Sequence, residues 1–299
     1  MMRMISSIGM KLMGLVVLRE RLTGELWSTF ITCIANDDVA FLFVETSIQE
    51  VRHMATNLYV NGDYLKHNPI WHVDESAWKA TEILRILACN HLTPKTICEV
   101  GCGAGEILKL LQERLGDECI FAGYDIAPQA IELARMRENE RLHVQLGDVT
   151  REQDAFFDLI LVMDVLEHME DCFSFLRTLR EKSHYKIFHL PMDISVRSIL
   201  RGELPVYRQT YGHIHYFTRE LALQMVREQG YEVLDYFYTE KFVARPQGLD
   251  EADTLLRLKK SLGRSKRALA KLPRKLLFAV NQDVAVRLFG QWRLLILAR

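Results

Sequence analysis

One segment constrains the fold of this chain more than any other: the glycine-rich sequence EVGCGAG at residues 99–105, which follows a short apolar run and precedes a helical pattern. Glycine adopts left-handed backbone conformations without strain and lets a ligand approach the main chain closely. The order strand, glycine loop, helix is that of a βαβ unit with a ligand at the carboxyl end of its first strand. The loop therefore predicts an α/β fold with a parallel sheet.

Further apolar runs repeat this alternation along the chain. Short apolar runs without alternation are typical of parallel strands that helices cover on both faces. The predicted strands are 96–100, 119–124, 142–146, 157–162 and 184–190, followed by 231–238 and 292–298. A helix is predicted between 105 and 115, and another from Leu221 to Glu228 with Thr218 as its cap and Gly230 at its end.

Three regions differ in pattern. Residues 1–60 carry one β-prone run, Val39 to Val44, and we interpret them as a loose N-terminal extension or a misassigned start, with Met54 as a later start. Residues 61–243 form the predicted core. Residues 244–299 are basic and helical in pattern and end in the last predicted strand. With 299 residues, 49% of them hydrophobic, the chain can bury one sizeable core.

Charge and cysteine content narrow the class of protein. The formal net charge of -1 favours neither a nucleic acid partner nor a membrane. The six cysteines form no C-x-x-C pair, so we expect a reduced, cytoplasmic protein. No metal-binding residue is predicted. No apolar stretch reaches the roughly 18 residues of a membrane span.

The spacing of the glycines separates two kinds of ligand. A dinucleotide fingerprint reads G-x-G-x-x-G and receives a pyrophosphate, whereas this loop reads G-x-G-x-G with Glu99 two residues before its first glycine. A carboxylate at that position would repel a pyrophosphate but suits a ligand that carries an ammonium and a sulfonium. The loop therefore favours S-adenosylmethionine, and an NAD-dependent oxidoreductase is the disfavoured alternative.

Two more acidic residues follow predicted strands. Asp125 ends the second strand, where its carboxylate can accept both hydroxyls of a ribose. Asp148 follows the third strand and can accept from the amino group of an adenine. Because the carboxyl ends of parallel strands meet at one edge of a sheet, both side chains are expected at the same crevice as the loop.

Together these residues resemble the class I S-adenosylmethionine-dependent methyltransferase family, in particular its small-molecule and O-methyltransferase branch, over residues 64–243 and the last strand. The resemblance implies a doubly wound, mostly parallel, seven-stranded Rossmann-like sheet with an antiparallel last strand. It also implies a donor site in which the loop holds the methionine end. The implied donor-binding residues are Glu99, Gly101, Cys102, Gly103, Gly105, Asp125, Ile126, Asp148, Val149 and Asp164.

Histidines supply the candidate catalytic groups, because the unperturbed pKa of an imidazole, about 6.5, suits a general base at neutral pH. His168 and His213 are the preferred candidates, and His189 and His215 follow. The fifth strand ends in His-Leu-Pro and lacks the Asn-Pro-Pro-aromatic arrangement of amino-methylating relatives. We therefore expect a hydroxyl on a small-molecule or glycan-type acceptor.

Three alternatives stay open. Trp71, His72 and Trp78 either cover the donor site as a lid or pack on the domain. The stretch 257–275, with nine Lys or Arg and no acid, either contacts a membrane surface or an anionic substrate or packs on its own domain. A chain with these motifs is either an enzyme or a non-catalytic protein that binds S-adenosylmethionine. The sequence predicts no oligomeric state.

Overall fold

A computed structural model describes the backbone of three N-terminal strands, and all of residues 73–240 and 274–299. The chain divides into two compact units, Met1–Met54 and Ala55–Arg299. The first unit contains a three-stranded antiparallel sheet of β1 (Gly14–Leu22), β2 (Leu26–Ala35) and β3 (Asp38–Phe43). The β-prone run of the sequence corresponds to β3, and β1 and β2 were not predicted.

The second unit is built on a seven-stranded sheet with the order β6-β5-β4-β7-β8-β10-β9. Strands β4 to β8 are parallel, and β10 runs antiparallel to both β8 and β9. The strands are β4 (Thr96–Val100), β5 (Ile120–Asp125), β6 (Leu142–Leu146), β7 (Phe157–Met163), β8 (Ser183–Pro191), β9 (Val233–Glu240) and β10 (Trp292–Ala298). The predicted doubly wound sheet with an antiparallel last strand is confirmed.

Helices cover both faces of this sheet. They are α1 (Val73–Cys89), α2 (Glu106–Gln112), α3 (Pro128–Arg135), α4 (Cys172–Arg180), α5 (Val196–Leu200), α6 (Glu203–Tyr211), α7 (Arg219–Glu228) and α8 (Gln282–Phe289), and residues 274–280 are also helical. The predicted cap of α7 is present, since the Thr218 hydroxyl accepts from the Leu221 amide. Helix α2 is shorter than predicted.

Alternate strand residues enter two separate cores. On one face, Cys98 and Ile160 belong to a cluster with α4 and α7. On the other, Ile97 and Leu161 belong to a cluster with α1 and α2. Because both faces are buried, the strands need apolar residues at successive positions, which is why they appear in the sequence as continuous apolar runs.

The strand order places the carboxyl ends of the parallel strands around one crevice. From β4 the chain moves outward to β5 and β6 and then returns to β7 on the other side of β4. Ligands of open α/β sheets bind at such a reversal of strand order. The loop after β4 and the turn after β7 therefore form the centre of the candidate site.

Two predictions concern contact with a membrane. None of the helices in the described ranges is both long and apolar enough to cross a bilayer. The basic stretch 257–275 lies outside the described residues, apart from its last two, so its contact with a membrane or substrate stays a prediction.

Candidate functional site

The glycine loop adopts the left-handed conformation that its composition predicts. The φ angles of Gly101, Gly103 and Gly105 are 69°, 55° and 76°. A Cβ atom on Gly101 would also lie 2.7 Å from Cγ2 of Val165, in the turn after β7. Glycine is thus required at residue 101 both by the backbone and by the neighbouring turn.

The amide groups of the loop donate inside the protein. The amides of Gly101 and Cys102 donate to the Tyr124 carbonyl oxygen at 2.8 and 3.1 Å. The amide of Gly103 donates to Asp125 Oδ2 at 2.8 Å, and the amide of Gly105 donates to the Cys102 carbonyl oxygen at 2.8 Å. These four donors are therefore committed to holding the loop in shape. They do not form a cradle for an anion such as a pyrophosphate, in agreement with the interpretation of the glycine spacing.

Glu99 lies at the base of the loop and is 1% exposed. Its Oε2 atom has no hydrogen-bond partner among the residues that the structure describes. Burial raises the pKa of Glu99 to about 8, the positive charge of Lys79 opposes this, and the charge of Asp125 adds to it. A buried carboxylate oxygen without a donor is costly, and the ammonium of a bound ligand would satisfy it. The residues present fit the donor predicted from the sequence.

Asp125, at the end of β5, accepts hydrogen bonds from backbone amides. Its Oδ2 accepts from Gly103 at 2.8 Å and its Oδ1 from Ala127 at 2.9 Å. Burial raises the pKa of this carboxyl group, and the amide bonds oppose the rise. A carboxylate offers about four acceptor positions, so a ribose hydroxyl can still donate to it. The neighbouring Ile126 is 45% exposed and offers an apolar surface beside it.

Asp148 caps the short 3₁₀ turn Val149–Arg151. Its Oδ1 accepts from the Thr150 amide at 2.9 Å and from the Thr150 hydroxyl at 2.7 Å. The other oxygen lies 3.7 Å from Nε of the exposed Arg151. Asp148 thus has a structural role as a cap, and its predicted contact with an adenine depends on the remaining acceptor positions.

Two predicted donor-binding side chains belong to the cores. Val149 is fully buried in the cluster with α4 and α7. The Cys102 side chain packs on β5, where its Sγ lies 2.9 Å from the position of a Cβ on Gly123. Only the main chains of Val149 and Cys102 can therefore contact a ligand in this structure.

Asp164 follows β7 with a φ of 57°, in the left-handed region. Its carboxylate lies 2.7 Å from Lys79 Nζ, 2.8 Å from His189 Nδ1 and 3.5 Å from Arg293 Nε. Although burial alone would raise the pKa of Asp164, these three neighbours hold it well below the usual range. The structure places Asp164 in an ionic cluster behind the loop, a role that the sequence did not predict, and its donor contact stays a prediction.

His168 and His213 come together at the carboxyl ends of β7 and β8. Their ring centroids are 5.0 Å apart, with the rings at 73°. Nδ1 of His213 lies 2.6 Å from Oδ2 of Asp193, and Nε2 of His168 lies 3.9 Å from Oε1 of Glu167. The two preferred candidates of the sequence analysis thus share one site.

The other two histidines, His189 and His215, form hydrogen bonds with groups outside this pair. His189 is buried, and its ring nitrogens contact Asp164 and, at 3.0 Å, the Thr239 hydroxyl. Burial lowers the pKa of His189, which outweighs the neighbouring Asp164. Nε2 of His215 donates to the Met169 carbonyl oxygen at 2.7 Å. Both ring nitrogens of His189 are engaged, so it is badly placed to act as a base.

Like Asp193, Glu167 belongs to this site but was not predicted from the sequence. It is 1% exposed, and its Oε2 has no hydrogen-bond partner within the described part of the chain. Its carbonyl oxygen accepts from the amides of Ile214 and His215 at 2.8 and 3.1 Å, which ties the segment after α6 to the turn after β7. Burial and the charge of Asp164 raise the pKa of Glu167 well above its usual value.

Trp78, on α1, packs against the ionic cluster around Asp164. Its ring lies 5.5 Å from that of His189 and 5.9 Å from the Arg293 guanidinium. This contact favours packing over a lid for Trp78. Trp71 and His72 lie outside the described residues.

Comparison with known proteins places this geometry among methyltransferases. Residues 70–236 match a family model described as a methyltransferase domain. The ubiquinone biosynthesis O-methyltransferase of Schizosaccharomyces pombe is 37% identical over 109 residues, which are 34% of this chain and 38% of the relative. The enzyme of the same name from Albidiferax ferrireducens is 33% identical over 104 residues, 31% and 40% of the two chains. The chain spans about two fifths of the length of these relatives.

A solved structure shares the fold. A chain in the complex between the Haloferax volcanii Trm112 methyltransferase activator and a methyltransferase superimposes with a TM-score of 0.52 at 12% identity. The match covers 81% of this chain and 96% of that one. At this identity the likeness concerns the fold alone.

Proposed function

Because this chain belongs to the S-adenosylmethionine-dependent methyltransferase family, we propose that it methylates a hydroxyl group on a small-molecule or glycan-type acceptor. The observation that carries the proposal is the Asp193–His213 pair, which lies beside His168 and Glu167. The partial similarity to O-methyltransferases supports a hydroxyl as the acceptor group.

The chain's own residues bind the two ends of the donor. The donor, when bound, supplies a methyl group that its sulfonium activates for direct displacement. Glu99 would bind the ammonium with the oxygen that now lacks a partner. Asp125 would accept from the ribose, and Ile126 would pack against the apolar part of the ligand. These contacts fix the orientation of the reacting carbon, from which much of the rate can come.

The histidine pair lies next to this donor site. Val165 contacts the position of Gly101 and directly precedes the 3₁₀ turn Leu166–His168. An acceptor bound between the loop and this turn would place its hydroxyl near both imidazoles. The pair therefore borders the space in which the acceptor must meet the methyl group.

His213 is the group best arranged to take the proton of the acceptor. Its Nδ1–H donates to the Asp193 carboxylate, which leaves Nε2 as the ring nitrogen with a lone pair. A carboxylate that fixes the tautomer and orientation of a histidine in this way makes it an effective base. A hydroxyl that has lost its proton is the stronger nucleophile, so this arrangement supports transfer to oxygen.

Turnover with paired acceptors tests the proposal. A donor with a deuterated methyl group would be incubated with phenols and with the anilines of the same skeletons, and products would be detected by mass. Transfer to the phenols alone is expected. His213→Ala should lower turnover by about a hundredfold to ten-thousandfold with nearly unchanged donor affinity, while His143→Ala, on the exposed side of β6, should not.

Two results would contradict the proposal. Transfer to the anilines in preference to the phenols would make nitrogen the acceptor atom. Donor binding without turnover on any acceptor would favour the non-catalytic binding protein. The cytoplasmic location and the role of residues 1–60 stay predictions.

A further inference from the structure

We propose that Glu167, His168 and His213 bind a divalent cation of the Zn²⁺ type, with one coordination position left for the acceptor hydroxyl. The ligand atoms of these three side chains all lie within 4.8 Å of one another. No metal ligand was predicted from the sequence, because no local pattern indicates the meeting of β7 with the segment after α6.

The carboxylate of Glu167 is the first argument for a cation. The side chain is 1% exposed, yet Oε2 accepts no hydrogen bond from the described residues. A buried carboxylate oxygen without a donor costs several kcal/mol in general unless a positive group faces it. A cation bound by Glu167 would satisfy this oxygen.

The charges around Glu167 leave this need unmet. Asp164 and Asp193 add negative potential at Glu167, and Arg293 is the basic residue that opposes them. Arg293 is itself shared with Asp164, at 3.5 Å, and with Glu75, at 4.0 Å. Lys79, the other basic residue nearby, lies 2.7 Å from Asp164 and 3.6 Å from Glu75. In the described part of the chain, two basic residues thus face the four carboxyl groups of Glu75, Asp164, Glu167 and Asp193, and this excess of acidic groups favours a cation.

The hydrogen bond of His213 is the second, independent argument. Metal-binding histidines donate their second ring N–H to a carboxylate, a carbonyl or a water molecule, which fixes the ring and its tautomer. Asp193 has this position, with Oδ2 at 2.6 Å from Nδ1 of His213. The bond leaves Nε2 as the ring nitrogen for the cation.

The separations require only a small closure. Ligand atoms of a tetrahedral Zn²⁺ site, with bonds of about 2.0–2.2 Å, lie roughly 3.4 Å apart. His168 Nε2 and Glu167 Oε1 are 3.9 Å apart, and none of the three ligand atoms lies more than 4.8 Å from another, so the side chains would have to move closer together to bind the ion. Two imidazoles with one carboxylate favour Zn²⁺ over Mg²⁺ or Ca²⁺, and three protein ligands with an open fourth position are the pattern of catalytic zinc sites.

The cation would change how the hydroxyl loses its proton, and this step rests on the proposed function. A hydroxyl bound at the open position has a lowered pKa, so its O–H bond breaks and the proton leaves to solvent. The oxygen then forms a bond to the methyl carbon while the C–S bond breaks, and its electron pair stays on sulfur. His213 then acts as a ligand and no longer as the base.

Metal titration of the full chain tests the inference without any turnover. Chelator-treated protein would be titrated with Co²⁺, followed by its visible absorption, and with Zn²⁺, followed by calorimetry. One equivalent should bind tightly. His213→Ala and Glu167→Gln should each abolish this site, and Asp193→Asn should weaken it by about tenfold to a hundredfold.

His143→Ala is the matched control, because His143 is exposed on β6 and should leave the titration unchanged. The free thiol of Cys89 is also exposed, so the site is defined by what the variants remove and not by total metal bound. Thermal unfolding of each variant shows whether it is folded. If one variant unfolds, the remaining folded ones decide the question.

The outcomes separate this inference from the proposed function. A titration without a tight equivalent, or one that folded His213→Ala and Glu167→Gln leave unchanged, would overturn the metal site. Hydroxyl methylation by such a metal-free protein would leave the proposed function intact, with His213 as base. A tight equivalent that these variants remove would establish the site even if no acceptor were methylated.

Discussion

The amide of Gly103 donates to Oδ2 of Asp125 across 2.8 Å and joins the glycine loop after β4 to the end of β5. The other carboxylate oxygen of Asp125 accepts from the Ala127 amide at 2.9 Å. One side chain thus shapes the loop and the start of α3 together. The proposed donor site is therefore held in shape by hydrogen bonds of the protein itself.

Replacing Asp125 tests this double role. Asp125→Ala should weaken donor binding about tenfold to a hundredfold, the effect of losing roughly 1.5–3 kcal/mol of charged hydrogen bonding. It should also lower the unfolding temperature, because the Gly103 amide loses its partner. Calorimetry with S-adenosylhomocysteine measures the first effect and thermal unfolding the second. Asp117→Ala, on a fully exposed side chain, is the control. An unchanged dissociation constant in folded Asp125→Ala would remove this residue from the site.

Glu99 should make donor binding depend on pH. In the donor-free protein the pKa of Glu99 is about 8, whereas the bound ammonium favours the ionised form. Binding therefore releases a proton, and affinity should rise by about tenfold per pH unit between pH 6 and 7.5, below the pKa of a free amino group, about 7.7–8.0. Calorimetry in buffers of different ionisation enthalpy measures the released proton. Glu99→Gln should bind weakly with no proton release; wild-type pH dependence in this variant would exclude Glu99 as its source.

The ionisation of Glu99 should destabilise the donor-free protein as the pH rises. Its folded pKa, about 8, lies above the ordinary value of 4.5, so the folded state holds a proton that the unfolded state loses in this window. The stability contributed by protonated Glu99 is complete below pH 4.5 and is lost as pH rises towards 8. Chemical unfolding at several pH values should show that the free energy of unfolding of Glu99→Gln rises relative to that of the wild type as the pH increases from 4.5 to about 8. A constant difference would mean that Glu99 does not titrate there.

Gly101→Ala should damage the loop through its backbone and its contact with Val165. A non-glycine residue in the left-handed region costs about 1–3 kcal/mol, and the added Cβ would lie 2.7 Å from Val165 Cγ2. A lower unfolding temperature and weaker donor binding are expected. Gly116→Ala is the matched control, since a Cβ there meets no atom within 4 Å. Equal behaviour of the two variants would show that the loop tolerates a side chain at residue 101.

A chain that begins at Met54 should keep the donor site. The compact unit that contains the seven-stranded sheet starts at Ala55, and the three N-terminal strands belong to the other unit. Cooperative unfolding and unchanged affinity for S-adenosylhomocysteine are expected for the shortened chain. If it unfolds without cooperativity, residues 1–53 are part of the folded core, and the interpretation of this segment as an extension is wrong.

The parallel sheet was predictable because its strands carry a local signal. The inner strands are buried on both faces, so their apolar runs are visible in the sequence to within one or two residues, as for 157–162 against Phe157–Met163; the edge strand β6 is largely exposed. The cap at Thr218 is likewise a local pattern. Strands β1 and β2 gave no comparable signal, because residues 1–60 show no clean period.

Within the candidate site, the acidic residues at strand ends could be predicted from the sequence, but the contacts between side chains from different elements could not. Asp125 was selected because it ends a strand, and by the same rule Asp193, just after β8, was open to prediction and was missed. Lys79 and Arg293 meet at Asp164 from α1 and β10, and no local pattern indicates such a meeting. His189 also lies near the end of a strand, but its contact with Thr239 depends on the position of β9.

Calorimetry of the wild-type chain with S-adenosylhomocysteine and with NAD tests the central claim most directly, namely that the loop, Glu99 and Asp125 form a site for S-adenosylmethionine. S-adenosylhomocysteine, the demethylated product, avoids turnover and retains the ammonium and ribose that these residues would bind. Binding of one S-adenosylhomocysteine per chain is predicted, with no measurable heat from NAD. Tighter binding of NAD, or a folded chain that binds neither ligand, would contradict the account.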